Sequence, residues 1–279
     1  MEKINYIQLK TTAPAEQWEL ITAVLGEAGF STFEETATEL IAYIPENEWN
    51  EALLKDTMEM YMGSEAAFTY ETNWVAAVNW NEEWEKNYPN LYLDTFCQVL
   101  PSFRVPTDGF THTIIIDPKM SFGTGHHDTT QSVMRLMQDI DFQGKIVLDM
   151  GCGTGILGIL ASKMGAKTVI GIDIDPWCYE NGQENITLNH ITNMEMICGV
   201  AENIPNQTFD IILANINRNI LLADGAAYVS HLSQDKGVLI LSGFYDEDEA
   251  VITEHYEELG LTAGKARYQQ KWMAKVFHS

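Results

Sequence analysis

Four short segments of this chain concentrate residue types that can hold a small ligand or manage a nitrogen nucleophile. The sharpest is Ile146-Val147-Leu148-Asp149-Met150-Gly151-Cys152-Gly153-Thr154-Gly155-Ile156-Leu157, an apolar strand running into glycines and then a helix. Glycines there let the backbone pass under a ligand with no β-carbon in the way, and they turn the N–H groups of a helix N-terminus toward it. The spacing discriminates among ligands. A dinucleotide fingerprint needs glycine at 151, 153 and 156, but position 156 is Ile, and the Gly-Lys-Ser/Thr ending of a nucleoside-triphosphate loop is missing. An ordinary tight strand-to-helix turn is the alternative reading.

The second segment, Thr168-Val169-Ile170-Gly171-Ile172-Asp173, is a buried strand ending in a carboxylate 18 residues past Gly155. An acid at that place can accept both hydroxyls of a ribose while repelling a 2′-phosphate, so Asp173 is expected to hold a nucleoside. Asp175 is expected to cap the next helix. The third segment, Phe209 to Ile216, empties an apolar strand into Asn215. Its amide carbonyl can accept a hydrogen bond from an attacking amine and orient the lone pair without removing a proton permanently; the bland alternative is an Asx turn. The fourth, Ser121-Phe122-Gly123-Thr124-Gly125-His126-His127-Asp128-Thr129-Thr130, reads as a glycine-flanked loop before a helix, with Thr129 or Thr130 as cap or ligand donor. His126 and His127 are adjacent and point apart on extended chain, so no metal site is expected.

These segments need a scaffold that places strand ends side by side. From Phe142 onward the chain repeats strand, loop and helix, which indicates a mostly parallel sheet with helices on both faces and ligands at the carboxyl ends of its strands. Residues 1–72 read differently, as strand, helix, strands and helix. Trp18, Ile21, Val24 and Leu25 recur at helical spacing, and a second amphipathic helix from about Trp49 stops at Gly63. That pattern predicts a small ferredoxin-like α+β domain. Residues 73–95, with Trp80 and Trp84 four apart, predict a linker helix, and 96–279 the larger domain.

At 279 residues there is ample chain for two domains. Acidic residues number 40 against 16 basic ones, for a net charge of −24. So negative a molecule repels nucleic-acid phosphates and anionic lipid, and neither partner is expected. The acid is concentrated at the front, where residues 1–72 carry 14 Asp or Glu and 3 Lys or Arg, net −11. Four scattered cysteines, an opening without an apolar signal core and the lack of a spanning apolar run predict a reduced, cytoplasmic protein.

The glycine loop after an acidic strand end resembles the first motif of Rossmann-like methyltransferases, which bind S-adenosylmethionine. Taken together, Asp117-Pro118, Phe122-Gly123-Thr124-Gly125-His126, Thr129-Thr130, Leu148 to Gly155, Gly171 to Pro176 and Ala214-Asn215-Ile216 resemble the bacterial methyltransferases of large-subunit ribosomal protein eleven. Tyr6 to Lys10 and Trp80-Asn81-Glu82-Glu83-Trp84 are similar to that family's opening strand and linker. The resemblance implies a substrate-recognition domain, a linker helix and a catalytic domain that methylates the α-amino group and lysine side chains of a basic ribosomal protein, acting as a monomer. It also implies that Thr130, Gly151, Gly153, Asp173 and Asn215 contact S-adenosylmethionine, with Asn215 catalytic. Two departures stand near the expected amine entrance: Lys119 in place of a small residue, and Arg218-Asn219 in place of Gly-Pro.

The chemistry expected is in-line displacement by a neutral amine. An α-amine, with a reference pKa of about 7.7 to 8.0, is partly neutral at pH 7, whereas lysine, near about 10.4, needs a desolvating site. No residue stands out as a dedicated general base. The alternatives are another class I N-methyltransferase, acting on glutamine amides or nucleic-acid amines, and a non-enzymatic acidic adaptor for ribosomal proteins. The first would show Asn-Pro-Pro-Tyr where this chain has Asn215-Ile216-Asn217-Arg218.

Overall fold

The computed structural model describes residues 5–63, 68–76, 88–117, 119 and 121–279. Two compact units divide between Tyr88 and Pro89.

In the front unit the chain forms β1 (Tyr6–Thr11), α1 (Trp18–Glu27), β2 (Thr32–Glu35), β3 (Leu40–Pro45), α2 (Glu51–Met62) and β4 (Glu71–Val75). The antiparallel sheet has the order β2-β3-β1-β4, the ferredoxin-like arrangement. Ile21, Val24 and Leu25 form the buried stripe of α1 and pack with Leu9, Leu40, Ala42 and Ile44 of the sheet and with Leu54 and Met58 of α2. Asn50 caps α2 by accepting the Ala52 and Leu53 N–H groups at 3.0 and 3.1 Å. The backbone at the start of the expected linker helix is extended instead. Asn73 and Trp74 belong to β4, where Thr72, Trp74 and Val75 suit a strand and the edge of β1 offers a partner. The Trp80 and Trp84 pair lies outside the described residues, and the far end of the expected linker is again a strand, β5 (Leu91–Leu93).

The second unit adds β6 (Cys97–Leu100) and β7 (His112–Ile115), which form a small sheet with β5, and then α3 (Asp128–Met137). The main alternation follows: β8 (Ile146–Met150), α4 (Ile156–Lys163), β9 (Thr168–Asp173), α5 (Pro176–Leu188), β10 (Met194–Cys198), β11 (Ile211–Asn215), α6 (Arg218–His231), β12 (Val238–Tyr245), α7 (Glu249–Glu258), β13 (Thr262–Gln269) and β14 (Trp272–His278). Its sheet has the order β10-β9-β8-β11-β12-β14-β13, parallel from β10 through β12 and antiparallel beyond. Both faces are buried. Along β11, Ile211 and Leu213 join the core under α3 and α4, while Ile212 and Ala214 join the core under α6 and α7. β13 was not expected from the sequence: Gly264, Lys265 and Arg267 break its apolar pattern, as suits an edge strand facing water.

The chain leaves β8 for β9 on one side and later returns to β11 on the other. Loops that diverge from neighbouring strand ends in this way open a crevice between them.

Candidate active site

A cavity of about 630 Å³ occupies that crevice. Its lining draws on the ends of three adjacent strands: Met150, Gly151 and Gly153 after β8, Ile172 to Asp175 at the end of β9, and Asn215 to Asn217 at the end of β11. Gly199, Val200 and Ala201 follow β10, and Phe122, His127 and Trp272 arrive from elsewhere in the chain. The size suits a ligand of nucleoside dimensions or somewhat larger.

The glycine loop is tied to the protein around it. Its N–H groups are taken by protein acceptors: Gly151 and Cys152 donate to the Ile172 carbonyl at 2.8 and 3.1 Å, Gly153 to Asp173 Oδ2 at 2.8 Å, Thr154 to the Phe122 carbonyl at 3.0 Å, and Gly155 to the Cys152 carbonyl at 2.8 Å. The amides of Gly151 through Gly155 are therefore already paired. Glycine is needed for close approach of protein to protein. At Gly151 (φ +64°) a β-carbon would lie 2.0 Å from Ile216 Cγ2, and at Gly153 (φ +53°) it would lie 2.4 Å from the Phe122 carbonyl oxygen. The Phe-Gly-Thr-Gly segment and the glycine loop thus dock as one unit, reinforced by the Thr154 hydroxyl donating to the Gly123 carbonyl at 2.5 Å.

Two carboxylates lie beneath and beside this loop. Asp173 accepts Gly153 N–H on Oδ2 and Asp175 N–H on Oδ1 at 3.0 Å, which fixes its plane and leaves a further lone pair on each oxygen. Asp149, only 1% exposed, accepts Gly158 N–H on Oδ2 at 2.8 Å, while its Oδ1 has no partner. Burial pushes its carboxyl up to about 7; the Gly158 bond opposes that rise and the charge of Asp173 adds to it. Asp175 caps α5, accepting Trp177 N–H at 2.8 Å, and also lines the cavity.

Asn215 stands where β11 opens into the cavity. Its Nδ2 donates to the Thr130 hydroxyl at 3.3 Å, and its Oδ1 is buried without a partner. An amide pinned at nitrogen with a spare carbonyl oxygen is an acceptor held ready for a donor. Thr130 is itself buried and is not part of the cavity lining; the first turn of α3 presents Thr129 there and rotates Thr130 toward Asn215. Of the expected contact residues, the structure therefore brings Gly151, Gly153, Asp173 and Asn215 to the wall and sets Thr130 behind it.

His127 caps α3 and packs its ring between Phe122 and Trp272, at 5.4 and 4.9 Å between centroids. His126 Nε2 bonds the Pro89 carbonyl at 3.0 Å. Among the described residues no group of three or more His, Cys, Asp and Glu is placed to hold a metal. Lys119 pairs with Glu184.

A sequence profile described as "Ribosomal protein L11 methyltransferase (PrmA)" matches residues 5–279. The chain belongs to that family. The ribosomal protein L11 methyltransferase of Porphyromonas gingivalis is 43% identical over 262 residues, covering 93% of this chain and 90% of that protein. The one from Phocaeicola vulgatus is 40% identical over 279 residues, covering 98% and 99%. A crystal structure of the ribosomal protein L11 methylase from Lactobacillus delbrueckii subsp. bulgaricus superposes with a TM-score of 0.63 at 29% identity, covering 68% of this chain and 98% of that one. The seven-stranded sheet and its helices are thus the methyltransferase fold of the family.

Sequence reasoning missed two parts of this family member's cavity. Gly243 (φ +93°) sits at a register shift in β12, where a β-carbon would lie 2.2 Å from the Ile216 carbonyl oxygen. An isolated glycine in a strand pattern is the available signal for such a bulge. Trp272 opens a strand and gave no signal at all, because its place at the cavity depends on β14 pairing with β12.

Proposed function

We propose that this protein moves methyl groups from S-adenosylmethionine to the α-amino group and lysine side chains of ribosomal protein L11, with Asn215 as the catalytic residue. Family membership carries the reaction, the methyl donor and the substrate protein. The assignment of Asn215 rests on one observation, its unpartnered carbonyl oxygen in the wall of the cavity.

The residues present fit the donor. Asp173 keeps lone pairs for a ribose diol, Ile172, Ile174 and Val200 offer apolar surface to a base, and Asn215 Oδ1 is an orphaned acceptor in the same lining. When bound, S-adenosylmethionine supplies a methyl group already activated by its sulfonium. Asp173 holds the nucleoside by its hydroxyls, and Gly151 and Gly153 keep the floor against which it lies. Asn215 Oδ1 accepts an N–H of the incoming amine and aims the nitrogen lone pair, while the Thr130 hydroxyl keeps the amide from turning. Phe122, His127 and Trp272 exclude water from the amine, which favours its neutral form.

On the substrate side, the front unit, whose sheet runs through β4 (Glu71–Val75), serves as the docking domain, and the chain between β4 and β5 as the linker. A front domain of net −11 attracts a basic ribosomal protein by complementary charge. Family membership supports a cytoplasmic protein, and we take it to work as a monomer.

The test is methyl transfer from labelled S-adenosylmethionine to purified ribosomal protein L11, with products mapped by mass spectrometry. Label on the α-amine and on lysines is expected, and label on glutamine amides or none at all overturns the reading. For docking, KM for the protein substrate should rise with ionic strength at nearly constant kcat, since the screening length falls from about 10 Å at 0.1 M to about 3 Å at 1 M. A flat KM removes the acidic front domain from recognition.

A further inference from the structure

Arg218 opens α6 three residues beyond Asn215. Its guanidinium reaches the single helical turn Asp246–Asp248, with Nη1 donating to Asp248 Oδ1 at 2.6 Å. Nε and Nη2 point to Asn219 Oδ1 at 3.4 Å, which steadies the plane of the group. Asp248 is 9% exposed, and its second oxygen accepts the Tyr245 N–H at 3.3 Å. A carboxylate so enclosed depends strongly on its cation, because leaving it buried and unpaired is costly.

The next contact is aromatic. Tyr245 and Trp272 are facing residues of β12 and β14, and their rings lie 4.3 Å apart between centroids at 32°. Trp272 lines the cavity together with Asn215, and its ring meets His127, which in turn meets Phe122. A continuous path of contacts therefore leads from a surface guanidinium to the side-chain wall that shares the cavity with Asn215.

We propose that the Arg218–Asp248 ion pair anchors the Tyr245–Trp272 wall and so sets which amines reach Asn215, making Arg218 a positioning residue for amine selection. The inference rests on the methyltransferase reading above. Arg218 acts through Asp248 and the Tyr245 backbone, and it is not among the residues that line the cavity. A wall held at one spacing discriminates between an amine on a branched α-carbon and an amine on a straight lysine stem. A wall that can shift discriminates differently.

The experiment uses the full-length protein, S-adenosylmethionine and purified ribosomal protein L11, with α-amine and lysine products quantified separately. Arg218→Gly and Asp248→Asn should each change the ratio of the two products by about threefold or more, in the same direction, and raise KM for L11 more than they lower kcat. The double variant should go little further than either single one, because both break the same link. Arg218→Lys, which keeps the charge, should stay nearer the wild type, and calorimetric affinity for S-adenosylmethionine should be unchanged throughout. An unchanged product ratio overturns the proposal. So does a fall in kcat together with a fall in S-adenosylmethionine affinity, which marks a general structural role. A wild-type protein that methylates neither class of amine instead overturns the functional reading on which the proposal rests.

Discussion

Part of the cavity wall is backbone and part is side chains. Around Gly151, Gly153 and Asp173, the surface is a loop whose N–H groups are all spoken for and whose glycines admit neighbouring protein atoms where a β-carbon would stand. Elsewhere the wall is the side chains of Phe122, His127, Asn215 and Trp272, contributed by segments separated by up to 150 positions and brought together by sheet pairing. The first part can change little, because each glycine is fixed by another element pressed against it. The second can be retuned by residues that never touch a ligand.

The comparison breaks first at Asp173. If the backbone part binds the donor, Asp173→Ala should weaken S-adenosylmethionine binding by about 2 to 4 kcal/mol, roughly 30- to 1,000-fold, with the L11 KM nearly unchanged. Unaltered calorimetric affinity would show that the carboxylate serves only to hold Gly153 and Asp175.

Next comes Asn215 in the side-chain part. Asn215→Ala should lower kcat by about 100-fold while affecting donor affinity far less, and Asn215→Asp should keep part of the rate because an acceptor remains. Equal, small effects of the two replacements would reduce Asn215 to a turn residue. The smallest effect sharpens the contrast through pH. The Asp149 carboxyl is raised from an ordinary 3.8 to about 7, so the neutral form is the one the fold prefers. Its stabilising contribution is fully present below the unfolded value and is lost as pH rises through about 7. Asp149→Asn should therefore gain several degrees in Tm relative to wild type between pH 5 and pH 8.5 in ligand-free scans, whereas a Trp272→Phe change should show no such pH trend. A constant Tm difference for Asp149→Asn would mean the carboxyl titrates normally.

Much of the backbone part was legible in the sequence. Strand periodicity placed Leu148 to Gly155 and Thr168 to Asp173 at adjacent strand ends, and residue chemistry pointed to Asp173 and Asn215. What the glycines do was not legible, since their partners, Ile216 and Phe122, are 65 and 31 residues away. The side-chain part was illegible for a related reason. Trp272 and Tyr245 become neighbours through the antiparallel return of β14, and a half-polar edge such as β13 leaves no periodicity to announce that return. In the front unit, helical spacing and caps located α1 and α2, while β4 was obscured by the aromatic run that follows it.

Ile216 is gripped from two sides, its side chain against Gly151 and its backbone against Gly243. That grip divides sequence space around Asn215 unevenly. A β-carbon added at either Gly151 or Gly243 collides with Ile216, so both glycines are closed to substitution. Past Asn217, at Arg218, a single codon change leaves the grip untouched and alters only the distant anchor of the aromatic wall. New amine preferences are thus reachable by short mutational steps that never pass through an enzyme unable to hold its methyl donor.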